Sequence, residues 1–386
     1  MEECHATYVL QHVPLILKRV LELLPSKSLN ECARVCRDWN GFATEVKKNR
    51  RHKVEWFLSD CSDVNTIADK IKVFTEELYS QPQYVILFCT SKLYEQPVRV
   101  PSKHSTRHPR TAKCDRIDIG TLVKTLLPSN CSLLAVSADG VVGTAQNTNR
   151  ISELEDTRAL TLLTLPKIEG LDIYSFFVDV HNIHMDENAV FDVSQVSNVP
   201  EDKQVKAILM FSNQPYCPPE IGYSLLQHYE GCVIAGGYVD NLILPDQSMT
   251  HFEGSLMCIA LCGARIHTAS VVIREEVNST EGVDKIIKKL KECNLPEEKS
   301  FAFMFACIGR GKAHFRGTEN VESSVFKKYF PNTPLSGFFG NGEIGFDHLN
   351  RYSASTDSTS CQQKPKKPSP KLYHAYTTIL CMISVT

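Results

Sequence analysis

Residues 300–311 read Ser-Phe-Ala-Phe-Met-Phe-Ala-Cys-Ile-Gly-Arg-Gly, an unbroken apolar run closed by a glycine-flanked arginine. A strand with no polar alternation suits a sheet covered on both faces, as strand–helix–strand crossovers provide. The next residues supply such a crossover. A helix is expected near 320–330, and PLSGFFGNGEIG (334–345) reads as a second apolar strand ending in glycine.

The same unit recurs twice upstream. YVILFCTS (84–91) is followed by an expected helix near 117–127 and by CSLLAVSADGVVG (131–143). KAILMFSNQ (206–214) is followed by an expected helix near 220–230 and by CVIAGGYVDN (232–241). The copies differ in spacing, so they form a loose repeat. VEWFL (54–58) reads as a further strand. Val64, Ile67, Ile71, Phe74 and Leu78 make a helical stripe, and Val283, Ile286, Ile287 and Leu290 mark another helix over 282–293. Residues 95–116 are basic and proline-containing, and 352–371 are low in complexity, so both read as loops. YHAYTTILCMISV (373–385) returns to strand character.

The N-terminus has a different texture. Leu17, Val20, Leu21 and Leu24 fall on one stripe of a helix over 13–24, which Pro25 stops. Leu29, Cys32, Val35, Cys36 and Trp39 share a face of the next helical stretch, ahead of a basic run at 47–53. A piece this short buries little surface alone, so a spare apolar face suits a partner.

Leu17-x-x-Val20-Leu21-x-x-Leu24-Pro25, then Ser28-Leu29, then Val35-Cys36-x-x-Trp39 resembles the F-box family. The pattern departs at its opening, where His12-Val13 replace the family's Leu-Pro. The remainder resembles the FIST domain, through the glycine-ended strands and His374-Ala375-Tyr376-Thr377-Thr378. This order of modules resembles the F-box only protein 22 family. The resemblance implies that Leu17, Val20, Leu21, Leu24, Pro25, Leu29, Val35, Cys36 and Trp39 dock on a Skp-type adaptor, which links to a cullin-RING core. It implies that the FIST region recruits protein substrates for ubiquitination and proteasomal degradation, with nuclear and chromatin regulators among them. The chain would thus be a non-catalytic receptor subunit of the ligase.

The fold expected is α+β multidomain: a small N-terminal helical F-box (1–53), then an α/β FIST region with repeated strand–helix–strand units, divided into FIST N-terminal (54–200) and FIST C-terminal (201–386) domains. Cys307, Gly309, Arg310, Gly342, Glu343 and His374 are the candidate substrate or ligand pocket, because α/β sheets place crevices at strand ends. A small-molecule sensor is the rival reading. A third uses Cys307 as nucleophile, against the simpler reading of a buried thiol. Gly340-x-Gly342-x-x-Gly345 matches a dinucleotide pattern but lacks a following helix, and no Asp or Glu occurs after Asp357 where the pattern wants an acid about 20 residues on, so its glycines are assigned to a tight turn.

The composition excludes several classes. A net charge of −2 is not that of a dedicated nucleic-acid binder. The fifteen cysteines are scattered without a CxxC, so neither a disulfide framework nor a zinc site is expected. No apolar run is long enough to span a membrane. The expectation is a protein of cytoplasm and nucleus with reduced thiols, no cofactor, no direct nucleic-acid contact and no membrane contact. The basic stretches 47–53 and 364–371 suit nuclear import or a solvated face.

Overall fold

The computed structural model describes residues 13–50, 53–101, 114–146, 148–180, 191–214, 217–244, 255–352 and 369–386. His12, most of the loop expected at 95–116, and 353–368 of the loop expected at 352–371 lie outside them. So do Arg51 and His52 of the first basic run and 364–368 of the second.

Three helices open the chain: α1 (Pro14–Leu23), α2 (Ser26–Cys32) and α3 (Arg37–Asn49). Pro14 sits in the first turn of α1, where its missing N–H costs nothing. Next come β1 (Glu55–Asp60), α4 (Val64–Glu77), β2 (Pro82–Thr90), α5 (Ser91–Tyr94), β3 (Val98–Pro101) and β4 (Cys114–Ile117). The ends of the first expected loop therefore pair as a small hairpin. The chain continues through α6 (Ile119–Leu126), β5 (Ser132–Ala138), β6 (Gly140–Thr144), β7 (Ile151–Leu154) and β8 (Ala159–Pro166). A second stretch holds β9 (Asp172–Asp179), β10 (Val205–Ser212), α7 (Pro219–His228), β11 (Val233–Tyr238), β12 (Asn241–Ile243) and β13 (Ser255–Cys262). The last holds β14 (Ile266–Ile273), α8 (Thr280–Lys291), β15 (Ser300–Cys307), α9 (Val321–Tyr329), β16 (Leu335–Gly340), β17 (Glu343–Gly345), β18 (Tyr373–His374) and β19 (Thr378–Val385).

The three repeats are real, and they are larger than the strand–helix–strand units. The three main sheets run β1-β8-β2-β5-β12, β9-β13-β10-β11-β17-β18 and β14-β19-β15-β16-β6-β7. In each, the parallel pair β2–β5, β10–β11 or β15–β16 is joined through a crossover helix, α6, α7 or α9, as the apolar runs predict, and the first crossover also carries α5 and the β3–β4 hairpin. An antiparallel strand then flanks it on one side: β8, β13 or β19.

The other flank is supplied by a neighbouring repeat. Val136 of β5 faces Leu242 of β12, Gly237 of β11 faces Glu343 of β17, and Phe338 of β16 faces Val141 of β6. The offset from each β5-type residue to its own repeat's donated residue is the same: 136 to 141, 237 to 242, 338 to 343. Each repeat thus lends one short strand to the repeat before it, and the first lends to the third, in a closed cycle. The glycine-ended strands expected as single runs split at Asp139, near Asp240 and near Asn341, where this strand departs. The expected boundary at 200/201 falls between β9 and β10, two strands of one sheet.

The cycle closes around one core. Phe88, Phe211 and Phe305 hold equivalent places in β2, β10 and β15. Their ring centroids are 5.8 Å (Phe88–Phe211), 6.1 Å (Phe88–Phe305) and 5.5 Å (Phe211–Phe305) apart. Phe338 packs against all three. Each buried ring stabilises the fold by roughly 1.5–3 kcal/mol, with edge-to-face pairing adding about 0.5–1.5.

Candidate functional site

The repeat provides a way to find the site, because function shows where the symmetry breaks. The place filled by Val141 and Leu242 in two repeats is filled by Glu343 in the third. Burying a carboxylate where an apolar side chain fits is costly, so this replacement needs a reason. Glu343 is fully buried. Its Oε2 accepts from the Thr377 amide at 2.9 Å and the Thr377 hydroxyl at 2.7 Å. Its Oε1 has no hydrogen-bond partner among the described residues. Burial pushes the carboxyl up to about 7, while Thr377, the Cys307 thiol and the Arg310 charge pull it back down.

Cys307 ends β15 beside it, 7 % exposed. Its backbone N–H donates to the Thr377 carbonyl at 3.0 Å. Burial raises its thiol above the ordinary value, and the Glu343 carboxylate adds to the rise. Both effects favour the protonated thiol, which argues against a standing thiolate nucleophile. Ile308 and Tyr376 lie exposed close by, and Gly309 packs under the Tyr376 ring. Gly342 adopts φ 127°, open to glycine but not readily to other residues, and so lets β17 turn away from β16.

Arg310 is not a ligand-facing guanidinium. It is 1 % exposed and pairs with the equally buried Glu322 at 2.7 Å. It also donates to the carbonyls of Arg274 (2.9 Å), Val277 (3.0 Å) and Tyr376 (3.2 Å). Its five donors fit this fixed set of acceptors, as the guanidinium fork does well. The last bond holds Tyr376 in its left-handed conformation, φ 59°. Removing one partner of so buried a pair costs about 3–5 kcal/mol, so Arg310 shapes the site from below. His374 faces Glu343 across the β17–β18 pair, but its ring goes elsewhere. Its Nε2–H donates to the carbonyls of Gly345 (2.9 Å) and Lys371 (3.1 Å). Burial lowers its pKa, so it stays neutral. Cys307, Gly309, Gly342 and Glu343 therefore come together, while Arg310 and His374 support them.

The N-terminal helices also divide differently from the expectation. Leu17, Leu21 and Leu29 are buried in a small core with Ala43 and Val46, and Leu24 and Trp39 pack on it half-buried. The leucine stripe faces inward and holds the helices together. The free apolar face consists instead of Leu15 (77 % exposed), Ile16, Val20, Leu23 (82 %) and Val35 (63 %). Of the residues expected to dock, only Val20 and Val35 lie on it. Cys36 is exposed, and its Sγ caps α3 by accepting from the Trp39 amide at 3.5 Å. Pro25 is half-buried and begins the α2 turn. The helices are clamped to the body by Arg50, which donates to the carbonyls of Leu21, Glu22, Leu24 and Tyr79 and stacks 4.0 Å over the Tyr79 ring.

The rest of the inventory is plain. Among the described residues no three His, Cys, Asp or Glu side chains form a metal site, and no helix is long and apolar enough to cross a membrane. Burial pushes the Cys131, Cys232 and Cys381 thiols up to about 12, as small core residues rather than reactive groups.

Similarity to known proteins agrees with this architecture. Residues 248–346 match the FIST C domain. The chain is 29 % identical to F-box only protein 22 of Homo sapiens over 397 aligned residues, covering 98 % of this chain and 94 % of that protein. The protein of the same name from Pongo abelii matches to the same extent. An uncharacterized protein of Mycobacterium bovis is 27 % identical over 129 residues, covering 30 % of this chain and 33 % of its own length. A solved cyanuric acid hydrolase overlaps 86 % of this chain and 99 % of its own, at 9 % identity and a TM-score of 0.34, an overlap too loose to carry an argument. A FIST C match, three N-terminal helices with their own small core, and similarity to F-box only protein 22 along nearly the whole length of both chains support assigning this protein to the F-box only protein 22 family.

Proposed function

We propose that this chain is the substrate-recognition subunit of an SCF-type ubiquitin ligase. In this reading the N-terminal helices hold a Skp-type adaptor and, through it, a cullin-RING core. The FIST region holds a target protein for ubiquitination and degradation. The chemistry belongs to the recruited conjugating enzyme, and this chain contributes proximity and orientation. The observation that carries the reading is the apolar face of Leu15, Ile16, Val20, Leu23 and Val35, on helices whose own core is already closed. Buried apolar anchors dominate helix-in-groove interfaces, and this face offers five. The cytoplasm and nucleus are where such a receptor would work.

The test is co-purification of adaptor and cullin with the full chain. Leu15→Glu with Leu23→Glu places two charges on the free face without touching the helix core. Loss of both partners, with unchanged melting temperature, is the expected result. Undiminished recovery would remove the basis of the reading. A second reading, a FIST region that senses a small molecule, is favoured by one observation: the unsatisfied Oε1 of buried Glu343. Native mass spectrometry of the intact protein checks it by looking for a retained small molecule that Glu343→Gln releases.

A further inference from the structure

A cleft of about 530 Å³ separates the N-terminal helices from the first repeat. Ser26, Leu29, Asn30, Lys47 and Arg50 line it from one side. Tyr79, Gln81, Gln83, Asn130 and Lys167 are among those that line it from the other. Three side chains of this lining are cationic and none is acidic, in a protein whose net charge is −2.

The balance differs from the surface around it. Neighbouring lysines are neutralised: Lys18 pairs with Glu45 at 2.6 Å and Lys27 with Glu76 at 3.3 Å. Lys47 and Lys167 make no ion pair among the described residues and stand exposed on opposite walls. The Glu55 carboxylate behind the wall is engaged by the amides of Tyr79 and Ser80, each at 3.1 Å. Arg50 is held by four carbonyls and by the Tyr79 ring, so its charge is fixed in place rather than swinging in solvent. Four side-chain amides and two serine hydroxyls supply further donors. One fixed and two exposed cations among neutral donors, with no carboxylate in the lining itself, are the makings of an anionic-peptide site.

We propose that this cleft binds an anionic peptide segment of the captured protein, through clustered carboxylates or a phosphoryl group. This rests on the reading of the chain as a substrate receptor. The site would hold part of the target at the joint between the ligase-binding helices and the FIST body, and so set the direction in which the target is offered.

The test uses the full chain with its adaptor and two fluorescent probes, an octaglutamate peptide and a doubly phosphorylated serine peptide of equal length. Lys47→Glu with Lys167→Glu reverses the two exposed charges. Lys288→Glu with Lys289→Glu, on the outer face of α8, is the control. Anisotropy should show at least one probe binding to the wild type, with affinity roughly tenfold weaker in the cleft variant and unchanged in the control. The probe bound more tightly identifies the anion. Equal affinity in all three proteins, loss in the control as well, no binding of either probe, or competition by inorganic phosphate alone at the same concentration as the peptide would overturn the proposal. Adaptor recovery is measured in parallel: peptide binding that persists while adaptor is lost counts against the receptor reading and leaves the cleft assignment standing.

Discussion

Glu343 shows what one residue can carry. It occupies an apolar position of a repeated architecture, and its ionised form is disfavoured by burial. Its carboxyl titrates at about 7 when folded against an ordinary 4.5. Below 4.5 it is protonated in both states and costs nothing through ionisation. As pH rises from there towards 7 the unfolded state ionises first, so the fold loses stability, and above 7 the penalty is complete. Glu343→Gln keeps an acceptor for Thr377 and cannot ionise. The variant should therefore melt higher than the wild type at pH 8, by a margin clearly larger than at pH 5.5. An equal margin at the two pH values in thermal denaturation would show that Glu343 is not held as described. The strand-end reading grouped Cys307, Gly309, Arg310, Gly342, Glu343 and His374 as one candidate pocket, and the structure sets Cys307 beside Glu343 but turns the Arg310 and His374 side chains elsewhere. That reading misplaced Arg310, because a glycine-flanked arginine looks exposed until its partner is known. That partner, Glu322, lies in α9, where an acid reads as part of a solvated helix face.

At the scale of elements, long apolar strands were legible and short ones were not. β2, β10 and β15 announce themselves by uninterrupted apolar runs, and their crossover helices by spacing. The lent strands β12 and β17 are three residues each. So short a strand has no periodicity to read, and its partner lies in another repeat. The leucine stripe of α1 was legible as a helix, but periodicity alone could not say whether it faced the module's own core or a partner. The lending of strands has a consequence for fragments. Residues 201–386 alone would lack β9 beside β13 and β6 beside β16, leaving two apolar edges unpaired. That fragment should be insoluble or oligomeric in size-exclusion chromatography, while 53–386 should elute as one species. A monomeric, cooperatively melting 201–386 would contradict the cyclic exchange.

Across the whole molecule, the three repeats form one body around Phe88, Phe211, Phe305 and Phe338, and the N-terminal helices are fastened to it by Arg50. Strand lending makes that body a rigid platform, since no repeat can move without breaking a neighbour's sheet. A rigid platform with an exposed apolar face on its N-terminal helices suits the proposed receptor, which must hold a target at a set distance from a ligase core. The departure from symmetry at Glu343 and the cationic cleft at the joint are the two places where this platform differs from a purely structural one. The measurement that bears most directly on this account compares cells carrying the wild-type chain with cells carrying Leu15→Glu and Leu23→Glu, by quantitative proteomics of captured and of total protein. The account predicts a set of proteins captured equally by both forms that accumulates only in the variant cells, with less ubiquitin attached. Captured proteins whose abundance and ubiquitination are the same in both would contradict it.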